Sequence, residues 1–376
     1  MDFSGTKQEA PAPPATSASA WWSRETVAVV TGANRGIGHA LAARLAERGL
    51  TVVLTARDAA RGEAAAAPLR DRGLAVVVRR LDVADAASVA EFAAWLRDDV
   101  GGIDILHYCR LGAYSYRPTF YATLILLVLA RLAPLDQTAR VTSLGVRFGR
   151  NKGPPVAPNS DGRGFTGRVL SRRGNMPFRQ VNNAAVSFNE IDTNSVEHAE
   201  TVLRTNFYGA KMLTEALLPL FRQSPATSRI LNISSQLGLL NKLRDPSLRS
   251  LLLDEDRLTE SAIEDMVAQF LSEVKDGTWS DPGRGWPKVW TDYAVSKLAL
   301  NAYSRLLARR LQARGQRVSV NCFCPGFTRT DMTKGWGKRT ADEVADVGAR
   351  LALLPPDELP TGTFFRWCTP QLYSKL

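Results

Sequence analysis

The chain has 376 residues, 45% of them hydrophobic and 23% charged, with a formal net charge of +11 at neutral pH. That balance suits one soluble, enzyme-sized body with a sizeable core. Four cysteines and three histidines, none at metal-ligand spacing, exclude a zinc module and a disulfide framework. The apolar run Phe120 to Ala130 is too short to cross a bilayer, which takes about 20 residues.

The charge is unevenly placed. Residues 107–180 hold eleven arginines and one lysine against two aspartates, and the rest of the chain carries a balance of only +1. The body is therefore near neutral, and a nucleic-acid or membrane-surface partner is not implied for it.

In chain order, residues 1–21 are rich in Ala, Pro, Ser and Thr and read as a disordered tail without a signal peptide's basic start and apolar core. Val27 to Val30 read as a buried strand, Thr31 to Gly38 as a glycine turn, and Ala40 to Arg48 as an amphipathic helix stopped by Gly49. That order sets a helix N-terminus, with its free N–H groups, where a diphosphate can sit. A second strand runs from Thr51 toward Arg57 and Asp58, and a third over Ala75 to Val78. Thr259 to Lys275 carry Ile263, Met266, Val267, Phe270, Leu271 and Val274 at helical spacing, with Thr259 at the expected start. Tyr293 and Lys297 are four apart and share a helix face, where an ammonium can lower the phenol's pKa. Cys322 and Cys324 read as reduced packing residues on opposite faces of a strand. Either motif alone, the glycine turn or the Tyr-Lys pair, arises often by chance; both in this order are far rarer.

Together these segments resemble the short-chain dehydrogenase/reductase family, over about residues 22–106 and 181–369. The resemblance implies an α/β fold, a Rossmann-type doubly wound parallel sheet in one domain. Thr31 to Gly38 look like its cofactor turn, which implies contacts from Gly32, Asn34, Arg35, Gly36, Ile37 and Gly38. Asp82 and Val83 resemble the pair at the adenine, and Asn182-Asn183-Ala184-Ala185 the motif ending strand four, with Ala185 replacing a glycine and Asn183 at the cofactor. Asn206 resembles the asparagine that holds a relay water, and Ser235 the serine after strand five. Pro325, Gly326, Thr328 and Thr330 resemble the loop covering the nicotinamide. The extra helix within 240–290 resembles the plant menthone- and salutaridine-reductase branch of secondary metabolism. There it forms a lid and blocks the usual dimer contact, which implies a monomer acting on a small apolar carbonyl compound such as a terpenoid.

Charge narrows the cofactor. An NAD enzyme places an acid at the end of the second strand. Positions 55–57 hold none; Arg57, with Arg35, instead suits a 2′-phosphate, although Asp58 lies one residue on. NADPH is the expected cofactor. The resemblance then implies that Tyr293 donates a proton to a reduced ketone or aldehyde, Ser235 hydrogen-bonds its oxygen, Lys297 supports the phenolate and the nicotinamide ribose, and Asn206 anchors the water.

The arginine-rich segment interrupts this pattern. Removing 107–180 joins Gly102-Ile103-Asp104-Ile105-Leu106 to Val181-Asn182-Asn183-Ala184-Ala185, which is what the family has as strand four. A 74-residue insertion inside a central strand is improbable as an elaboration. We read 107–180 as translated non-coding sequence, from a retained intron or an incorrect gene model; a genuine lid or interaction loop is the alternative. The strand itself has a rival continuation through His107-Tyr108-Cys109. Two other functions remain open: an NADP-binding protein whose catalysis the segment impairs, and a basic interaction protein acting through it. The tail 370–376 ends in Ser374-Lys375-Leu376, the tripeptide read by the peroxisomal import receptor, so the expected location is peroxisomal or cytoplasmic.

Overall fold

Short apolar runs form a sheet, and the amphipathic stretches between them cover both of its faces. The computed structural model describes residues 20–108, 187, 195–222, 227–367 and 369–371, all within one compact unit. The first half comprises β1 (Val27–Val30), α1 (Gly36–Glu47), β2 (Thr51–Ala56), α2 (Ala59–Asp71), β3 (Val76–Arg80) and α3 (Ala86–Trp95). Then follow β4 (Ile105–Tyr108), α4 (Val196–Leu203), α5 (Gly209–Leu217), β5 (Ser228–Ile233), α6 (Pro246–Leu253) and α7 (Glu260–Lys275). The chain closes with α8 (Thr291–Ala313), β6 (Val318–Cys324), α9 (Ala341–Ala352), β7 (Phe364–Arg366) and β8 (Thr369–Gln371).

The sheet order is β3-β2-β1-β4-β5-β6-β7-β8, parallel from β3 through β7 and antiparallel only at β8. This is the expected doubly wound architecture, with its switch point between β1 and β4, where ligands of such sheets bind. Alternate residues of each strand feed opposite cores. Val27, Val29, Leu106, Tyr108 and Ile230 face α3, α4, α5, α7 and α8. Ala28, Val30, Ile105, Leu231 and Ile233 face α1, α2 and α9. Cys322 and Cys324 are both in the first core. Residues two apart on a strand share a face, which corrects the expectation that they diverge.

In β4 the rival continuation is the one present. His107 and Tyr108 complete the strand, pairing with Val30 of β1 and with Leu231 and Asn232 of β5. Tyr108 is fully buried, and its hydroxyl donates to the Thr205 carbonyl at 2.9 Å. His107 is equally buried, but neither ring nitrogen has a partner among the described residues. Burial pushes its pKa down to about 3. Its surroundings are apolar: a Cβ built on Gly348 would lie 3.8 Å from Nε2 and 3.4 Å from Leu41. Val181 to Ala185, with Asn183, and the Ser374-Lys375-Leu376 tail lie outside the described residues.

The helix expected from Thr259 onward is α7. Thr259 caps it by accepting from the Ala262 N–H at 3.1 Å, and Ile263, Met266, Val267, Phe270 and Val274 are its buried face against α4 and α8. Buried Glu273 on the same face accepts from the Trp286 indole at 2.6 Å and pairs with Arg284 at 3.2 Å. These contacts tether the strap that leads into α8. At the other end of the chain, Trp21 stacks on the Arg229 guanidinium at 3.4 Å and donates to the Leu353 carbonyl at 3.3 Å. None of the described helices is long and apolar enough to cross a membrane.

Candidate active site

The turn after β1 is shaped by its glycines. Gly32 and Gly36 have φ of 58° and 56°, a region that side chains strain to adopt. A Cβ on Gly38 would come within 2.9 Å of the Gly32 carbonyl, so only glycine lets α1 begin this close to the turn. Thr31 N–H donates to the His107 carbonyl at 3.1 Å and Ala33 N–H to Thr55 at 2.9 Å, which fixes the loop over β4 and β2. Arg35 takes the N-cap position of α1 without a side-chain cap, so Asn34, Arg35 and the Ile37 turn leave the helix end open to an anion.

Three arginines converge beside this turn. Arg35 lies on it, Arg57 follows β2, and Arg61 in the first turn of α2 is near enough to lower the pKa of Arg35. The larger cause of that lowering is burial, with Asp331 opposing it. Asp58, the acid that left the cofactor reading open, is committed elsewhere. It caps α2 by accepting from the Arg61 N–H at 3.1 Å and pairs with the Arg61 side chain at 3.5 Å. Arg35 Nε and Nη2 are buried and have no hydrogen-bond partner among the described residues. An uncapped helix end, a glycine cradle and an unsatisfied guanidinium edge fit a phosphate-bearing dinucleotide. On the far side of β2, Asp82 accepts from the Ala84 N–H at 3.1 Å. Buried Val83 packs under Gly209, where a Cβ would meet the Val83 carbonyl at 2.8 Å.

The other half of the site gathers where β5 meets α8. Lys297 is fully buried, 5.6 Å from the Tyr293 ring centroid, and its ammonium donates to the Ile233 carbonyl at 2.9 Å. Ser235, two residues beyond Ile233, accepts from the Leu237 N–H at 3.1 Å. The turn it begins lies so close to α8 that a Cβ on Gly238 would collide with the Lys297 and Leu298 backbone. Asn301 ties the two together, accepting from Ser234 at 2.5 Å and donating to the Gly238 carbonyl at 2.9 Å. Asn206 sits fully buried in a π-helical turn between α4 and α5, a distortion that often marks functional positions. Its amide donates to Ser296 at 3.1 Å, and Ser296 in turn donates to the Tyr293 carbonyl at 2.7 Å. Asp292, buried beside them, accepts from the Tyr293 N–H at 2.6 Å, and burial pushes its pKa up to about 6.

The loop after β6 begins at Pro325. Gly326 takes φ 73°, Thr328 and Thr330 are buried, and Thr330 with Thr333 closes a reciprocal cap. That cap presents Asp331, which pairs with Arg35 at 2.8 Å. The structure thus brings Asn206, Ser235, Tyr293 and Lys297 together around the end of β5, with the glycine turn, Arg57, Asp82 and Val83 along the neighbouring strand ends. Sequence reasoning missed Arg61, Gly238, Ser296, Asn301 and Asp331. Asn301 was within reach, since it lies one turn beyond Lys297 on the face of Tyr293; the long-range partnership of Asp331 has no local signature. A cavity of about 210 Å³, lined by Ala84, Arg204, Tyr208, Lys211 and Glu215, includes none of these catalytic candidates.

Comparison with known proteins places the chain in a family. The chain matches the short chain dehydrogenase family over residues 26–110 and 278–353. It is 32% identical over 342 residues to (+)-neomenthol dehydrogenase of Arabidopsis thaliana, covering 90% of this chain and 95% of that one. It is 34% identical over 189 residues to carbonyl reductase [NADPH] 1 of Mus musculus, covering 49% of this chain and 65% of that one. The solved structure of salutaridine reductase from Papaver somniferum superposes with a TM-score of 0.65 at 30% identity, over 90% of this chain and 99% of that one. From the glycine turn to the Tyr-Lys helix, this chain belongs to the short-chain dehydrogenase/reductase family.

Proposed function

We propose that this oxidoreductase reduces a ketone or aldehyde at the expense of NADPH, acting as a monomer on a small apolar plant metabolite such as a terpenoid. The observation that carries the reading is the gathering of Ser235, Tyr293 and Lys297 at the end of β5, beside an arginine-flanked glycine turn. Asp58, spent on capping α2, removes the one acid that favoured NADH. The name of the mouse relative, a reductase using NADPH, supports the same choice. The names of the plant relatives, a neomenthol dehydrogenase and a salutaridine reductase, support the substrate class.

The glycine turn with Arg35 and Arg57, together with Tyr293 and Lys297, would hold NADPH, which would supply a hydride to the carbonyl carbon. The work of the chain's own residues is on the oxygen. Tyr293 gives it a proton, Ser235 hydrogen-bonds it, and Lys297 lowers the cost of the phenolate left behind. Asn206 holds the water that restores the proton. The face of α4 and α8 covered by α7 supports a monomer. Peroxisomal import through Ser374-Lys375-Leu376 is the location we propose, and a fluorescent fusion lacking the tripeptide tests it by losing its punctate pattern.

The test of the chemistry is Tyr293→Phe. The variant should bind NADPH as wild type does and lose at least about a hundredfold in the rate of reduction of a panel of monoterpene ketones. Near-normal turnover refutes the assignment. A second reading rests on β4. Tyr108 occupies the strand position that the family gives to Asn182, which favours a protein that binds NADPH but catalyses poorly. Tight binding without turnover of any ketone in the wild type supports that reading instead.

A further inference from the structure

Arg35 and Asp331 are separated by 296 positions, yet their side chains meet at 2.8 Å. Arg35 belongs to the turn after β1 and Asp331 to the loop after β6. In the sheet those strands stand three steps apart, with β4 and β5 between them, roughly 14 Å at the usual strand spacing. The contact therefore arches over the ends of β4 and β5, across the groove that the proposed cofactor would follow. Asp331 is itself held in place: Thr330 N–H donates to Thr333 Oγ1 at 3.0 Å, and Lys334 N–H to the Asp331 carbonyl at 3.1 Å.

The way Arg35 is gripped gives the pair a direction. Asp331 takes Nη1 alone. Nε and Nη2, whose N–H bonds point the same way along the side of the guanidinium, are buried and have no hydrogen-bond partner among the described residues. That edge is the one that grips two oxygens of a phosphate at once. A side chain as flexible as arginine presents it reliably only when another group fixes the plane. As a staple between loops the pair contributes little, since Asp331 is 62% exposed and such ion pairs are weak in water.

We propose that Asp331 is a positioning residue for cofactor choice: by holding Nη1 of Arg35, it aims the Nε–Nη2 edge at the 2′-phosphate of the dinucleotide. It touches neither substrate nor reacting atoms, and its effect passes through Arg35. This rests on the NADPH reading above.

The test is equilibrium binding of NADPH and NADH to the purified full chain by calorimetry, with no turnover required. Asp331→Asn should weaken NADPH about tenfold, the scale of one charge-assisted hydrogen bond lost to poor aim, and leave NADH within about twofold. Asp331→Glu should recover part of the loss. In an Arg35→Gln background, Asp331→Asn should have no further effect. Equal weakening of both cofactors would reduce Asp331 to a loop staple and overturn the proposal. Tighter NADPH binding in Asp331→Asn would also overturn it, because Asp331 would then be competing with the phosphate. A wild type that binds both cofactors alike refutes the NADPH reading itself; a selective wild type with an unaltered Asp331→Asn refutes only the role of Asp331.

Discussion

His107→Val is expected to stabilise the protein, although it removes atoms from the sheet's interior. His107 lies in β4 between Val30 and Leu231, fully buried, with both ring nitrogens unpartnered among the described residues. A buried donor or acceptor left unsatisfied costs about 1–3 kcal/mol, so the imidazole's two nitrogens together cost about 2–6 kcal/mol. Valine has similar volume, favours strands and asks for no hydrogen bond. The gain should appear as a rise in Tm of about 3–8 °C for a chain of this size, given an unfolding entropy of about 2.1 cal/mol/K per residue. The pH dependence gives a second signature. The folded histidine stays neutral because its pKa is pushed down to about 3, whereas in the unfolded chain it takes a proton below about 6.5. Wild-type stability therefore falls as pH drops from about 6.5 toward 3, by about 1.4 kcal/mol per unit, and this component is absent from the valine variant. Thermal melts at pH 7.5 and pH 5 measure both effects, with the advantage of His107→Val larger at pH 5. A variant that is less stable at both values, or whose advantage does not grow on acidification, refutes the account of an unsatisfied, neutral His107.

Deleting 107–180 places Val181 at the position of His107 and Asn182 opposite Asn232, whose Oδ1 is unpartnered among the described residues. The deletion protein should melt several degrees higher, on the order of the His107→Val shift, and reduce ketones faster; failure to fold, or loss of activity, would make the segment part of the working enzyme. Arg57→Ala should weaken NADPH by about 1.5–3 kcal/mol and spare NADH, and equal losses in binding assays would deny it the 2′-phosphate. Gly238→Ala should cost about 1–3 kcal/mol and lower turnover, because its methyl meets the Lys297 backbone; normal melting and kinetics would contradict so close an approach.

What was legible in the sequence is what local patterning records. The apolar run Val27 to Val30 with its glycine turn, and the spaced face of α7 behind Thr259, are statements about a strand, a turn and a helix, and each follows from neighbours in the chain. Asp58 was ambiguous because an acid after a strand can hold a ribose or cap the next helix, and only the start of α2 at Ala59 decides between them. The continuation of β4 was undecidable for a different reason. His107-Tyr108 and Val181-Asn182 both suit a central strand, and pairing with Asn232 depends on residues far along the chain. The pairing of Arg35 with Asp331 lies further out still, since loop geometry after β6 leaves no period to read.

The pairing of β4 with β5 also has a consequence in time. Once β1 and β4 have joined, the outer edge of Ile105–Tyr108 needs Ser228–Ile233, which the ribosome makes only after the whole span between Tyr108 and Ser228. At about 5–20 residues per second that delay is on the order of ten seconds. Throughout it, a nascent half-sheet carries a bare, apolar edge of the kind that recruits other chains. The cost of residues 107–180 would then be felt less in the finished protein than in the fraction of chains that reach it.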